Sequence, residues 1–163
     1  MDELINAAAR IAEVLKNRNE TLAVAESSTG GLISAAMLAI PGASAYFIAG
    51  AVVYTLKARR TILDLPDAAF AGMKGLTEDA ALVFARAARL RFGVVWALSE
   101  IGASGPTGSR YGDPAGTTCI AVVGPVEKSA KIHTASADRV ANMKIFSARA
   151  LELLEACVGA PRQ

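Results

Sequence analysis

The sequence predicts an α/β protein: a three-layer α/β/α sandwich around a mixed, mostly parallel sheet of about five strands. Helical and strand patterns alternate through the first part of the chain, as in parallel strands joined by crossover helices. Two strand patterns then follow each other across Gly124-Pro125, which indicates an antiparallel pair at one edge. With 163 residues, 53% apolar and 20% charged, the chain can form one domain over residues 1–163.

The elements follow from the spacing of apolar residues and from local stop signals. Thr77, followed by Glu78 and Asp79, is a good helix N-cap, and Gly93 would end the helix that starts there. The predicted helices cover residues 2–17, 29–40, 77–91 and Asp138 onward, with a short helix or turn at 57–63. The predicted strands cover residues 21–25, 46–55, 94–99, 117–123 and 130–134.

One long uncharged stretch raises the question of a membrane. No charged side chain occurs from Ser27 to Leu56, and a spanning helix has a similar length. The stretch is rich in Gly, Ala and Ser, and Pro41-Gly42 interrupts it. We therefore favour a buried helix followed by a buried strand, since core elements of α/β folds also have continuous apolar runs.

Charge and residue usage disfavour several functional classes. The net charge is only +2, and Lys and Arg are spread along the chain, so we expect no nucleic-acid partner. The N-terminus has neither a basic segment nor an apolar core of the kind found in export signals, so we expect a cytoplasmic protein. With one histidine, His133, a zinc site or a serine–histidine–aspartate triad is disfavoured, and we expect neither metal nor cofactor.

The remaining uncommon residues have ordinary structural interpretations. Cys119 and Cys157 are expected to be reduced and buried, because two cysteines do not form a disulfide framework. Trp96 is expected in the core, and His133 is expected to be a solvated or core histidine. The alanine-rich, apolar composition makes a homo-oligomer a reasonable expectation.

The most informative segment is LAVAESSTGG, residues 22–31, in which an apolar strand runs into a turn of small residues and then a helix. Unpaired amides at a helix N-terminus can bind a phosphate or a developing oxyanion. Ser27, Ser28 and Thr29 would lie at that position. The alternative is that Ser27 or Ser28 only caps the helix.

The second unusual segment is the loop at residues 101–116, which contains five glycines and two prolines. A loop of this length usually has a function, and glycine lets main-chain amides approach a ligand closely. Arg110 and Asp113 are exposed candidates for ribose or phosphate contacts. The alternative is a structural crossover loop.

Four ordered motifs resemble the CinA C-terminal domain family. AESSTGG is similar to AES(C)TGG, and PGASAYFIAGAVVYTLKARRTILDL, residues 41–65, is similar to PGSSxxFxxGxVxYSNEAKxxxLGV. GASGPTGSRYGDPAGTTCIAV, residues 102–122, resembles GIAGPxGGxxxKPVGTVxIAV, and ADR at residues 137–139 resembles GDR. Together the motifs span nearly the whole chain.

The resemblance implies an amidohydrolase that converts nicotinamide mononucleotide into nicotinic acid mononucleotide and ammonia. It implies Ser27 as the nucleophile, Tyr54 as a second catalytic residue, and amides near residues 29–31 as the oxyanion hole. Arg59 stands where the family has a lysine thought to be the base. Because arginine remains protonated, Lys57 is the alternative base. The predicted substrate-binding residues are Glu26, Ser28, Thr29, Gly30, Gly31, Gly102, Ala103, Ser104, Gly105, Arg110 and Arg139.

Two departures from the motifs keep other hypotheses open. Arg59 replaces the family lysine, and Met143 stands where the last helix of the family carries an arginine. The chain would then be a nucleotide-binding module that has lost its base, or an amidase with a different small-molecule substrate. In the structural alternative, Lys57, Arg59 and Arg60 form a solvated basic turn, and Tyr54 is a half-buried strand residue.

Overall fold

The computed structural model describes residues 1–161, which form a five-stranded sheet with helices on both faces. The helices are α1 (Asp2–Arg18), α2 (Leu32–Leu38), α3 (Leu56–Leu63), α4 (Glu78–Phe92) and α5 (Arg139–Val158). The strands are β1 (Leu22–Glu26), β2 (Phe47–Val52), β3 (Trp96–Ala103), β4 (Thr117–Val123) and β5 (Glu127–His133). Single 3₁₀ turns occupy Ala43–Ala45 and Asp67–Phe70.

The sheet has the order β2-β1-β3-β4-β5 and is mixed, as predicted. Strands β2, β1 and β3 are parallel, while β4 is antiparallel to both β3 and β5. Four of the five strands therefore run in one direction. The chain leaves β1 for one side of the sheet, then crosses back from β2 to place β3 on the other side of β1.

The two faces of the sheet bury two separate clusters of apolar side chains. On β1, Leu22 and Val24 join the cluster under α1, α2 and α5, whereas Ala23 and Ala25 join the cluster under α3 and α4. This alternation is the period of two expected for a strand with both faces covered. Trp96 is 1% exposed and lies in the first cluster, which confirms its predicted core position.

Strand β2 corrects one prediction, because it lies at the sheet edge and is not buried. Ile48 and Val52 are about half exposed, and exposure alternates along the strand. The lack of charge in this stretch therefore reflects an edge strand beside a short helix. No helix within residues 1–161 combines the length and the hydropathy needed to cross a bilayer.

Helix α2 is shorter than predicted, beginning at Leu32 and ending at Leu38. Gly30 and Gly31 have φ values of 66° and 101°, in the left-handed region that interrupts a helix. Residues 27–31 are consequently a turn that connects β1 to α2, and not the first turn of a helix as predicted.

Strand β3 is longer than predicted and takes in Gly102 and Ala103, which pair with Thr118 and Thr117 of β4. The glycine-rich loop is therefore shorter than expected and begins after Ala103. Strand β5 begins at Glu127 rather than at residue 130.

The two predicted caps of α4 are confirmed, and the last helix starts at the predicted place. Thr77 caps α4 by accepting a hydrogen bond from the Ala80 amide, and Gly93 ends that helix in the left-handed conformation. Asp138 caps α5 by accepting from the Ala141 amide. These caps fix the start of α5, whose first residue, Arg139, faces the site described below.

Both cysteines are buried free thiols, as predicted. Burial raises the pKa of Cys119 to about 12 and also raises the pKa of Cys157. Because the thiolate is the reactive form, we expect neither thiol to react with a maleimide at about pH 8 in the folded protein. Both should react in urea. Stoichiometric labelling of the folded protein, measured by mass spectrometry, would contradict this packing.

Candidate functional site

The carboxyl ends of β1, β2 and β3 meet at one edge of the sheet, where a cleft of about 430 Å³ opens. The connections after β1 and β2 leave toward opposite faces of the sheet, and open α/β sheets bind ligands at such a switch point. The cleft also falls within the usual range for small-molecule sites, roughly 300–1,000 Å³.

Ten of the fifteen predicted site residues line this cleft, and five do not. The lining residues among them are Ser27, Ser28, Tyr54, Arg59, Gly102, Ala103, Ser104, Gly105, Arg110 and Arg139. The others are Glu26, Thr29, Gly30, Gly31 and Lys57. The structure thus brings together three of the four predicted catalytic residues, Ser27, Tyr54 and Arg59, with the first part of the glycine-rich segment.

Ser27 is the first residue after β1, and its half-buried side chain lies at the cleft floor. Its amide donates to Glu100 Oε2 at 3.1 Å, whereas its hydroxyl makes no hydrogen bond to residues 1–161. Neither Ser27 nor Ser28 caps α2, so the capping alternative is wrong. The Ser27 hydroxyl is thus free to meet a ligand.

The predicted oxyanion hole at residues 29–31 is wrong, because all three amides already have acceptors. The Thr29 amide donates to Glu100 Oε2 at 3.0 Å and the Gly31 amide to Glu26 Oε2 at 3.1 Å. The Gly30 amide donates to the Ser27 carbonyl at 3.2 Å. A developing oxyanion would find no free donor among these three amides.

Glu26 is a buried carboxylate that closes the N-terminal end of α2. Its Oε2 accepts from the amides of Gly31 and Ile33, each at 3.1 Å, and its Oε1 accepts from the Ser34 amide at 2.8 Å. A carboxylate at this position satisfies the unpaired helix amides and the helix dipole together. Glu26 therefore shapes the turn from below and does not face the ligand.

Glu100 is a second buried carboxylate, supplied by β3, and it holds the same turn from the neighbouring strand. Besides the two amides, it accepts from the Ser28 hydroxyl at 2.5 Å and from the Thr118 hydroxyl at 2.9 Å. The Thr29 hydroxyl lies between the two carboxylates, 2.8 Å from Glu26 Oε2 and 3.0 Å from Glu100 Oε2. The serine turn is consequently fixed by two acids.

Tyr54 and Arg139 form a pair at the cleft mouth. The Tyr54 oxygen accepts a hydrogen bond from Arg139 Nη2 at 3.1 Å, and Arg139 Nη1 donates to the Gly105 carbonyl at 2.6 Å. Arg139 thereby links the end of β2 to the glycine-rich loop. Tyr54 follows β2 and is 59% exposed, so it is more exposed than the half-buried strand residue of the alternative prediction.

Arg59 lies in the cleft wall and is 8% exposed, so it does not belong to a solvated basic turn. Its guanidinium carbon lies 4.3 Å from the centre of the Phe70 ring, and its Nη2 donates to Asp67. Hydrogen bonds from Arg60, together with those from Arg59, lower the pKa of the Asp67 carboxyl. Lys57 is exposed and lies outside the cleft lining, so the structure does not place it as the base.

The charge of the cleft lining is one-sided. Three arginines line it, Arg59, Arg110 and Arg139, and its lining contains no Asp, Glu, His, Lys or Cys. Arg110 lies 5.2 Å from the centre of the Tyr111 ring, and within residues 1–161 it has no carboxylate partner. Because Arg59 is paired with Asp67, the positive charge that can attract an anionic ligand comes from Arg110 and Arg139.

Two glycine-rich positions are explained by close approach to neighbouring groups. A Cβ at Gly102 would lie 2.5 Å from the Ser28 hydroxyl oxygen, and a Cβ at Gly105 would lie 2.5 Å from the Ala137 carbonyl oxygen. Both glycines let β3 and the following loop pass close to the serine turn and to the start of α5. Close packing against Ser28 and Ala137 thus requires glycine at positions 102 and 105, whether or not their backbone also faces a ligand.

Asp113 does not line the cleft, which corrects the prediction that it contacts ribose or phosphate. Its carboxylate accepts from the Leu76 amide at 2.9 Å and from the Ser109 hydroxyl at 2.8 Å, and Lys131 lies 3.4 Å away. Asp113 therefore joins the glycine-rich loop to the segment before α4.

The Asp113 contacts predict a pH dependence of stability. Burial acts to raise the pKa of Asp113, but hydrogen bonds from Leu76, Ser109 and Lys131 outweigh it, so the pKa lies below its ordinary 3.8. Its stabilising contribution is therefore complete above the unfolded-state pKa and is lost as pH falls through the lower folded-state pKa. In urea unfolding, the difference between wild type and Asp113→Asn should be constant from about pH 5 to pH 7 and shrink below about pH 4. A difference that grows on acidification would contradict this.

Sequence reasoning missed Glu100, Asn142 and the aromatic wall of the cleft. Glu100 was detectable as a single acid inside the apolar strand pattern WALSEIGA, because a buried charge needs several partners. Asn142 donates to the Ser104 and Ser136 carbonyls, each at 2.8 Å, and holds the loop against α5. Within residues 1–161 there is no group of three His, Cys, Asp or Glu side chains that could hold a metal ion.

The fold and the site define an α/β protein with an arginine-lined cleft at the carboxyl ends of its parallel strands. The model of the CinA C-terminal domain family matches residues 5–158, and the chain belongs to that family. CinA-like proteins of Geobacter metallireducens and Salinibacter ruber are 36% and 32% identical over 144 and 142 residues, or 88% and 87% of this chain. The chain spans about a third of the length of these two relatives, 35% and 34%.

Solved structures of the same superfamily have the same fold along almost the entire chain. The competence/damage inducible protein CihA of Agrobacterium tumefaciens is 26% identical, with a TM-score of 0.88 over 97% of this chain and 96% of that one. A CinA superfamily protein of Escherichia coli is also 26% identical, with a TM-score of 0.86 over 93% of this chain and 89% of its own.

Proposed function

We propose that the cleft binds a small anionic nucleotide and that Ser27 hydrolyses the carboxamide of that ligand, with nicotinamide mononucleotide as the substrate. The observation that carries the proposal is the cleft lining, in which Arg110 and Arg139, without a carboxylate partner within residues 1–161, accompany a free serine hydroxyl. A phosphate monoester carries about −1.5 to −2 charges at neutral pH and would be attracted to such a cleft. The carboxamide and the pyridine ring of the proposed substrate are inferred from the family resemblance.

In this proposal Ser27 Oγ attacks the carboxamide carbon, a C–O bond forms and the C–N bond breaks. Ammonia leaves, and water then attacks the ester to release nicotinic acid mononucleotide and restore Ser27. The serine proton must reach the leaving nitrogen. Tyr54 is the proposed carrier, because its hydroxyl can give and accept a proton and Arg139 holds its oxygen at 3.1 Å. Arg59 lines the cleft but remains protonated, and Lys57 can accept a proton but lies outside the cleft lining.

The proposal is tested by comparing nicotinamide mononucleotide with its phosphate-free riboside. Ammonia release should be saturable for the nucleotide, and kcat/KM for the riboside should be lower by about a hundredfold, because the riboside lacks the group that the arginines attract. Equal kcat/KM values would exclude phosphate recognition. No ammonia from either compound would exclude the amidase.

A second function, nucleotide binding without turnover, is favoured by one specific observation. The cleft lining contains no His, Lys, Asp, Glu or Cys, so the usual general bases are absent from it. Calorimetry separates the two functions: saturable binding of nicotinamide mononucleotide without ammonia release supports the binding module. Failure to bind any mononucleotide would remove both functions.

A further inference from the structure

Two buried polar atoms have no hydrogen-bond partner within residues 1–161, Arg59 Nε and Ser104 Oγ. Arg59 is 8% exposed and Ser104 is 1% exposed, and both residues line the cleft. A buried donor or hydroxyl without a partner destabilises the folded state, so such atoms are uncommon in native proteins. Their presence at one cleft indicates a partner that the protein itself does not supply.

Two contacts hold the guanidinium group of Arg59 in place. Asp67 accepts from Nη2 at one end, and the guanidinium plane lies over the Phe70 ring. Arg60 binds the same carboxylate but does not line the cleft. Arg60 is therefore an exposed surface residue, while Arg59 is buried at the cleft with its Nε unpaired within residues 1–161.

Two side chains bind the main chain at Ser104 and at the next residue. Asn142 Nδ2 donates to the Ser104 carbonyl at 2.8 Å, and Arg139 Nη1 donates to the carbonyl of the next residue, Gly105, at 2.6 Å. The main chain is thus held at both residues, while the Ser104 hydroxyl has no partner within residues 1–161. Both positions also differ from the family motifs, which have Lys at position 59 and Ala at position 104.

The surroundings of Arg59 indicate what its partner is. Phe70 and Phe84 have ring centres 5.5 Å apart at a 60° tilt, and Met73 and Leu76 complete this aromatic end of the cleft. A flat ring fits an apolar wall of this kind, and a single buried donor beside it selects a ring that carries an oxygen acceptor. A charged donor binds an anionic oxygen more strongly than a neutral one.

We propose that Arg59 Nε and Ser104 Oγ bind the ligand directly, Arg59 as the residue that selects an aromatic carboxamide or carboxylate. The ring lies at the aromatic end with its carbonyl oxygen on Arg59 Nε, and Ser104 Oγ contacts a second polar group of the same ligand. The inference rests on the proposed function in taking a pyridine nucleotide as that ligand. It adds that nicotinic acid mononucleotide binds more tightly than nicotinamide mononucleotide.

The test for Arg59 is calorimetry with nicotinic acid mononucleotide and with ribose 5-phosphate, which has no ring. Arg59→Met keeps the volume beside Phe70 and should weaken the first ligand by about tenfold or more, and the second by less than about threefold. Arg60→Met, the matched control, should change neither affinity. Equal affinities of wild type and Arg59→Met for the ring ligand would overturn the assignment, as would an equal loss for both ligands.

The test for Ser104 uses a readout that a structural hydroxyl would not give. Ser104→Ala removes an atom without a protein partner, so the melting temperature should stay the same or rise while the affinity for nicotinic acid mononucleotide falls by about threefold or more. The control is Ser99→Ala, whose buried hydroxyl donates to the Ala81 carbonyl at 2.6 Å outside the cleft. It should lower the melting temperature and leave the affinity unchanged. An unchanged affinity in Ser104→Ala would overturn its assignment.

These outcomes separate the inference from the proposed function. If the wild type binds the ring ligand and Arg59→Met does not, but no ammonia is released, the recognition stands and the amidase fails. If ammonia is released and Arg59→Met binds the ring ligand as the wild type does, the amidase stands and the recognition fails. If the wild type binds neither ligand, both are overturned.

Discussion

Replacing Ser27 by alanine is expected to lower ammonia release from nicotinamide mononucleotide by about a thousandfold or more, because the hydroxyl is the proposed nucleophile. The affinity for the nucleotide should change by less than about threefold, since arginines supply the attraction. The melting temperature should stay the same, because the Ser27 hydroxyl makes no hydrogen bond to residues 1–161. Steady-state kinetics, calorimetry and thermal unfolding measure the three quantities.

Ser28→Ala is the matched control, because Ser28 is adjacent, also lines the cleft and already donates to Glu100 at 2.5 Å. It should lower the free energy of unfolding by about 1–2 kcal/mol through the lost bond to a buried carboxylate, and it should retain most of the turnover. Loss of turnover in Ser28→Ala with normal activity in Ser27→Ala would exchange the two roles and contradict the proposal.

Glu26→Gln is expected to lower the free energy of unfolding by about 2–3 kcal/mol. Both Glu26 oxygens accept backbone amides, Oε1 from Ser34 and Oε2 from Gly31 and Ile33. A glutamine amide group in either orientation would direct its own hydrogens at a backbone N–H and leave that donor unpaired. Urea unfolding measures the change, and the start of α2 should lose protection from hydrogen exchange.

Glu100→Gln is the matched control, since it removes the same charge from the same turn. Its Oε2 accepts the Ser27 and Thr29 amides, but its Oε1 accepts only hydroxyls, from Ser28 and Thr118. A glutamine nitrogen placed at Oε1 can donate to Thr118, whose own proton can go to the Ile101 carbonyl, 3.0 Å away. We expect a loss of about 1 kcal/mol or less. A loss equal to that of Glu26→Gln would contradict this account of the turn.

The sequence was sufficient for the fold because its signals are local. Thr77 and Gly93 mark helix ends by their own chemistry, and these predictions are confirmed. The edge position of β2 was not predictable in the same way, because an apolar strand gives the same pattern in the centre of a sheet and at its edge when neighbouring elements cover it. The order of the strands decides whether β2 is a central or an edge strand, and that order is a property of the tertiary structure.

The site was predictable as a location but not as a set of contacts. Ser27 follows β1, and the ends of parallel strands meet at one edge, so its place in a cleft could be predicted. Which amides remain free could not, because Glu100 reaches the turn from a strand 73 residues further along the chain. A single sequence does not contain that pairing.

The burial of Arg59 is a second feature of the site that could not be predicted from the sequence. Beside Lys57 and Arg60 it belongs to a basic cluster, and such clusters are usually solvated. The structure separates the three residues by their direction on α3: Arg59 is buried over Phe70, while Lys57 and Arg60 are exposed. Helical spacing places residues two apart on different faces, so only the orientation of α3 against α4 shows which one reaches the cleft.

In the proposed reaction the Ser27 hydroxyl becomes covalently bonded to the substrate. The most direct measurement is intact-protein and peptide mass spectrometry after rapid acid quenching of the protein with excess nicotinamide mononucleotide. We expect an added nicotinoyl nucleotide on the peptide that contains Ser27 and no such addition in Ser27→Ala. Ammonia release without any adduct on that peptide, together with undiminished turnover by Ser27→Ala, would contradict it.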